Sequence, residues 1–149
     1  MNANVNGLIH PHLFYEGRCE EAIEFYKKNL GAEVQFLMRI KESPEPQPPG
    51  STPPGSGDKI LHARVRIGQS ILLMADGRCS GKAVFEGFTL TLIVATPEES
   101  ERAFKALADG GQVRMPLVKT FFSPSFGMVA DRFGLGWMVL VHQEPPPGK

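Results

Sequence analysis

Cysteine is scarce in this 149-residue chain, at two residues, and tryptophan and tyrosine contribute only one and two more. Two thiols with no Cys-x-x-Cys spacing supply neither a disulfide framework nor a zinc knuckle, so a fold of this length must hold itself by its core. With 42% hydrophobic residues, one domain of this size can bury roughly 68–70% of the surface its unfolded form exposes. Net charge is lacking as well: sixteen basic and sixteen acidic residues cancel. No Lys/Arg block stands out, which leaves no electrostatic footprint for nucleic acid or an anionic membrane. There is no run of about 18 apolar residues to cross a bilayer, and the first seven residues have neither a basic nor an apolar export region. These absences predict a cytoplasmic protein with two free thiols, Cys19 and Cys79, neither of which has a nucleophile's flanking signature. Also missing are a Gly-x-Gly-x-x-Gly turn after a strand, a Walker-type loop and a Gly-x-Ser-x-Gly elbow.

What is present is an order of elements, given twice. Leu8 to Tyr15 reads as a strand, and a helix follows from about Glu20 to Leu30, with Ala22, Ile23, Phe25, Tyr26 and Leu30 on one face and Gly31 as its stop. Glu33 to Ile40 reads as a strand. Residues 43–58 hold six prolines and three glycines, too many for helix or ladder, and predict a mobile loop that adds little to stability. Ile60 to Ile67 and Ser70 to Ala75 flank Gly68-Gln69 at hairpin spacing. In the second half, Phe88 to Val94 reads as a strand, and Thr96-Pro97-Glu98-Glu99 is a helix start with Thr as N-cap and Pro at the first position. Gly110-Gly111 closes that helix. Gln112 to Val118, Phe126 to Ala130 and Trp137 to His142 complete the set. An offset of 79 residues superposes Glu20 on Glu99, Phe25 on Phe104 and Gly31 on Gly110, as a duplication would. The expected fold is α+β, two tandem βαβββ modules at 8–76 and 87–142 within a single domain of residues 8–142, followed by a disordered tail at 143–149.

Several polar residues are candidates for chemistry. His10 and His12, two apart on a strand, share a face and form either a chelating pair or one solvated and one core imidazole. His62 shares a strand face with Arg64 and Arg66; facing a cavity, the trio suits a carboxylate, enolate or phosphonate, and facing water it is a solvated β face. Asp76 ends a strand before Gly77 as a turn cap or an acid/base group, and Asp131 opens a reverse turn in the same way. Thr89 and Thr91 alternate with Leu90 and Leu92, which places the hydroxyls opposite the helix-packing leucines. Phe121, Phe122 and Phe126 crowd a Ser/Pro loop as a packing plug or a pocket wall.

Glu20-Glu21-Ala22-Ile23-Glu24-Phe25-Tyr26 with Leu30-Gly31-Ala32-Glu33, and Asp131-Arg132-Phe133-Gly134 followed by Trp137, resemble the first helix and the closing turn of the vicinal oxygen chelate superfamily. Gly17-Arg18-Cys19-Glu20-Glu21-Ala22, His62-Ala63, Gly87-Phe88-Thr89-Leu90, Phe126-Gly127 and Trp137-Met138 are similar to its PhnB-like proteins. Arg132 departs from the superfamily's usual Pro. The resemblance implies half-open barrels of four strands with helices outside and a cavity inside, and a homodimer. It also implies a metal held from the first and fourth strand of each module. Those positions here are His10 (or Pro11 in the alternative register), the stretch 71–75 without a ligand atom, Thr89 and Met138. Met138 is a soft thioether unsuited to the superfamily's metals. The expectation is therefore a protein with no metal and no cofactor that binds or sequesters a small molecule, its ligand-binding candidates being His10, His12, His62, Arg64, Asp76, Thr89, Thr91, Phe122 and Met138. The alternative is a glyoxalase-like or dioxygenase-like enzyme with an unusual site around His10, His12 and His62, or with metal-free acid/base chemistry. PhnB-like proteins are sometimes labelled ubiquinone-pathway methyltransferases; the missing glycine-rich loop argues against that activity.

Overall fold

The computed structural model describes residues 2–144; most of the expected C-terminal tail, 145–149, lies outside the described residues. The chain divides into two compact units, residues 1–82 and 83–149, and each repeats the same topology.

In the first unit the order is β1 (His12–Phe14), α1 (Cys19–Leu30), β2 (Glu33–Arg39), a single 3-10 turn (Ile40–Glu42), β3 (Ile60–Ile67) and β4 (Ser70–Ala75). The sheet order is β1-β4-β3-β2, with β1 parallel to β4 and the other pairs antiparallel. Helix α1 buries Cys19, Ala22, Ile23, Phe25 and Tyr26, the apolar face that its periodicity predicts. It packs against the side of the sheet that carries Leu13, Ala63, Val65, Leu72 and Met74, all buried. The Tyr15 and Tyr26 hydroxyls bond to each other at 2.8 Å inside this layer, so neither is left unsatisfied. Gly31 ends the helix at φ 67°, a left-handed conformation that glycine adopts without a Cβ penalty.

The N-terminus of α1 has no side-chain cap of its own. Asp76, 1% exposed, supplies one from across the sheet: Oδ1 accepts from the backbone N–H groups of Gly17 and Cys19, both at 2.8 Å, and Oδ2 from that of Ile60 at 2.8 Å. One carboxylate thus ties the β1–α1 turn, the helix start, the start of β3 and the end of β4.

The second unit runs β5 (Leu90–Val94), α2 (Pro97–Ala108), β6 (Gln112–Val118), β7 (Phe126–Ala130) and β8 (Gly136–Val141). The sheet order is β5-β8-β7-β6. Thr96 caps α2 by accepting from the Glu99 N–H at 3.2 Å, with Pro97 in the first turn, the start that its sequence predicts. Gly127 lies against the helix: a Cβ there would come within 2.7 Å of Phe104. Asp131 is buried, its Oδ1 accepting from the N–H groups of Phe133 and Leu135 and its Oδ2 from Trp137 Nε1, so it braces the turn it opens.

Both sheets are open four-stranded mixed sheets, in agreement with the α+β reading. Two strands differ from the sequence reading by more than one residue at an end. The first strand is three residues long rather than eight, and β5 begins at Leu90 rather than Phe88. β1 and β5 are edge strands of their sheets, so ladder pairing extends only as far as β4 or β8 faces them, whereas apolar composition runs on into the flank. Between the 3-10 turn and β3 no ladder forms. Its base is nevertheless fastened by Ile40 N–H to Lys59 O (2.9 Å), Lys41 N–H to Gly57 O (3.0 Å) and the Lys41–Asp58 ion pair. Ser56 is buried and donates to Pro53 O, so the segment is not detached over its whole length.

Candidate functional site

Side chains alternate across a strand, and register partners share a face. In the first unit one face belongs to α1, and the register assembles the other. His12 pairs with Leu73, Leu73 with Arg64, and Arg64 with Phe36, giving one row across β1, β4, β3 and β2. Phe14 pairs with Ala75 and His62 with Met38 in the row beside it. The result is a shallow dish with Leu73 and Ala75 as its floor. Around it stand His12 stacked on Phe14 (ring centroids 4.6 Å), His62 5.7 Å from His12, and Phe36 6.0 Å from His62. Phe14 and Phe36 are 49% and 46% exposed, so both rings leave much of their aromatic surface wet on this side.

The charges on this face are unequal in their partners. Arg66 is ion-paired to Glu33 and also donates to Gly68 O. Arg64 donates its Nε–H to Gln35 Oε1 at 2.8 Å, and no carboxylate pairs with it among the described residues. Gln35 falls at the bulge between Val34 and Phe36, the extra residue that lets its amide reach along the edge. Partial burial and the neighbouring His62 lower the His12 pKa from its ordinary value, since both disfavour a charge on the imidazole.

The other sequence candidates fall elsewhere. His10 lies ahead of β1; ladder bonding reaches only Pro11, whose carbonyl accepts from Leu73 N–H, so the strand geometry that would pair it with His12 does not extend to it. Both oxygens of Asp76 are committed to backbone N–H groups. In the second unit, Thr91 pairs with Met138, Met138 with Met128, and Met128 with Met115, so that a hydroxyl and three thioethers make one row on the face away from α2. Thr89 sits over Gly136, where a Cβ would come within 3.1 Å of its methyl. Phe122 stands edge-on between Phe121 and Phe126 at 5.1 and 5.0 Å. Phe14, Phe36, Gln35 and the floor residue Leu73 are absent from the sequence candidates. The period of two identifies Phe14 as a face-mate of His12, but nothing local places β2 beside β3 in the register that brings Phe36 to Arg64.

Cys19 is buried, and burial together with the Asp76 and Glu20 carboxylates pushes its thiol far up. Burial and Asp76 also raise Cys79. Neither is a poised nucleophile, because the thiolate is the reactive form.

Two open βαβββ units with a helix on one face of each sheet are the architecture expected of the vicinal oxygen chelate superfamily. The chain belongs to the family described as 3-demethylubiquinone-9 3-methyltransferase, whose model matches residues 8–140, and it is a PhnB-like member of the superfamily. It is 38% identical to protein YjdN of Escherichia coli over 145 residues, 93% of this chain and 97% of that protein. Among solved structures it is similar to protein PA1353 from Pseudomonas aeruginosa, with TM-score 0.79 and 38% identity over 93% of this chain and all of that one. It is also similar to a PhnB protein from Bacillus cereus described as a putative 3-demethylubiquinone-9 3-methyltransferase, with TM-score 0.73 and 26% identity over 91% and 99% of the two chains.

The superfamily's metal can be tested against the donors in place. Where first and fourth strands meet, the register partners are His12 with Leu73 in one unit and Thr91 with Met138 in the other. The first unit offers one imidazole beside an isobutyl group and the second a neutral hydroxyl beside a thioether, and neither pair supplies the oxygen and nitrogen donors that hold zinc, iron or manganese. Among the described residues no group of three or more His, Cys, Asp or Glu is placed to share an ion. The residues do not fit the metal.

Proposed function

We propose that this protein binds a small molecule on the open face of its first sheet without a resident metal, and that it works as a cytoplasmic homodimer. The observation that carries the reading is the dish itself: two wetted phenyl rings, two imidazoles and a carboxylate-free guanidinium over an aliphatic floor. An apolar surface with a few convergent polar groups is the usual composition of a ligand site. The second unit carries on its own open face a row of polarizable methionines, a surface of the kind that adapts to irregular ligands. Dimerisation is supported by the edge strands β1, β2, β5 and β6, whose unpaired backbone groups a twofold partner would cover. No helix among the described residues is long and apolar enough to cross a membrane, and the two cysteines are free.

Methyl transfer, which the family's description names, is not part of this reading. The turns entering the two helices, Glu16-Gly17-Arg18 and Ala95-Thr96-Pro97, contain no glycine-rich run to receive a nucleotide-like cofactor.

The His12–His62 pair supports a second reading, an enzyme of glyoxalase-like or dioxygenase-like type in which the imidazoles either move protons or join His10 in an unusual metal set. Metal analysis of protein purified from its own cells, paired with a native mass spectrum, separates the two. A retained organic molecule with no stoichiometric metal is the expected result. Stoichiometric zinc, nickel, manganese or iron, with a melting temperature that falls on chelation and no longer does so in His12→Ala, would overturn the metal-free reading.

A further inference from the structure

The proposed site on the first sheet has a chemical preference written into its charges, and the inference drawn from it rests on that reading. The dish has one fixed cation. Arg64 is always charged, and its guanidinium is held by Gln35 through Nε, which leaves the two terminal amino groups as the free end of the fork. Arg66, two residues along the same face, is already neutralised by Glu33. On the floor, β4 offers only Leu73 and Ala75 in these rows, and β1 adds His12, so among the described residues of the unit the titratable or charged groups on the face of Arg64 are the two imidazoles and the Arg66–Glu33 pair, already engaged with each other. The rows put the imidazoles on the far side of Leu73 and beside it, with phenyl rings at both ends.

We propose that the ligand of this face is a planar aromatic carboxylate, whose anionic group meets the terminal nitrogens of Arg64 end-on with N–H support from the His62 imidazole on the same strand face, and whose ring lies over Leu73 toward His12, between Phe14 and Phe36. Each part of the ligand follows from a part of the dish. A guanidinium with its Nε committed still presents two parallel N–H donors, the geometry that a carboxylate accepts in two bonds. An imidazole presents an N–H donor in either protonation state and can turn it toward the anion. Two exposed phenyl rings flanking an aliphatic floor suit a flat apolar body, since aromatic pairs prefer offset or edge-on contact over isolation in water. A neutral aromatic would leave the guanidinium unpaired, and a small inorganic anion would leave both rings wet. The required ligand has both features at once.

The test uses benzoate as the probe and benzamide as its neutral isostere, each titrated into the full-length protein while the backbone amide and histidine ring resonances are followed. Benzoate is expected to shift the resonances of His12, His62 and Phe36 saturably, with benzamide weaker by about tenfold or more, since a charge-assisted pair is replaced by a neutral one. Arg64→Gln should abolish that preference, and Arg64→Lys should restore part of it by keeping the charge without the fork. Arg66→Gln, which removes a cation already paired, should leave it unchanged and serves as the control for fold. If both probes shift the same residues with equal affinity, and Arg64→Gln changes nothing, the carboxylate preference is overturned while ligand binding on this face stands. If neither probe moves any resonance of the dish in the folded parent, both the preference and the site are overturned.

Discussion

Asp76 offers the sharpest test of how the first unit is held together. Its two oxygens accept three backbone N–H groups, from Gly17, Cys19 and Ile60, all at 2.8 Å, in a position 1% exposed. Replacement by Ala removes both acceptor oxygens and leaves all three buried N–H donors without a partner. A buried unsatisfied donor costs about 1–3 kcal/mol, so allowing for relaxation the loss is on the order of 3–6 kcal/mol. At this chain length roughly 2–4 °C of melting temperature accompanies each kcal/mol, so a fall of about 6–24 °C is expected. Asp76→Asn keeps the shape and one good acceptor but turns an NH2 toward an N–H donor, and should lose about half as much. Urea unfolding followed by far-UV circular dichroism measures both. If Asp76→Ala costs less than about 1 kcal/mol with an unchanged slope, the three bonds do not carry the unit and the reasoning fails. A loss of ligand binding in Asp76→Asn without loss of stability would instead return the residue to the site.

His12 should titrate below the ordinary imidazole value of about 6.5, and His62→Gln should raise it by removing one of the two causes; ring-proton shifts against pH measure both. Because the folded value is lowered, the unfolded chain takes up the proton first. Stability from this group is therefore complete above the unfolded value and falls as pH drops through the folded one, and a rise in stability over that window would contradict the assignment. Iodoacetamide at neutral pH should modify Cys79 slowly and Cys19 only on unfolding, since both thiols are pushed up; peptide mass mapping reads the order, and fast labelling of Cys19 in the folded protein would refute it. Replacing residues 44–52 by a short Gly-Ser turn should change stability by less than about 1 kcal/mol, whereas a deletion that also takes Ser56 and Gly57 should cost more, because Ser56 is buried and Gly57 bonds Lys41; equal unfolding midpoints for the two deletions would show that the base of the loop is dispensable. Light scattering at micromolar concentration should give twice the 16.3 kDa chain mass, and the monomer mass would remove the homodimer from the proposed function.

The sequence by itself determined the elements and their repetition. Periodicity is a local property: the 3.6-residue spacing of Ala22, Ile23, Phe25 and Tyr26 and the Thr96-Pro97 start need no knowledge of the rest of the chain, and both helices lie where these signals put them. Alternation likewise assigned His62, Arg64 and Arg66 to one face. Tertiary structure decided what each shared face meets. Strand order β1-β4-β3-β2 places His12 and Arg64 on either side of Leu73, bringing together residues far apart in sequence through one long-range pairing, His12 with Leu73, and one hairpin pairing, Arg64 with Leu73. It separated Arg64 from Arg66, equivalent in sequence, by giving one a carboxylate and the other an amide. It also turned Asp76 from a candidate for chemistry into an internal cap, since its three donors come from positions 17, 19 and 60. A register is the sum of many weak cross-strand contacts rather than a property of any one segment, and for that reason the composition of each strand was legible in the sequence while the site that the strands build together was not.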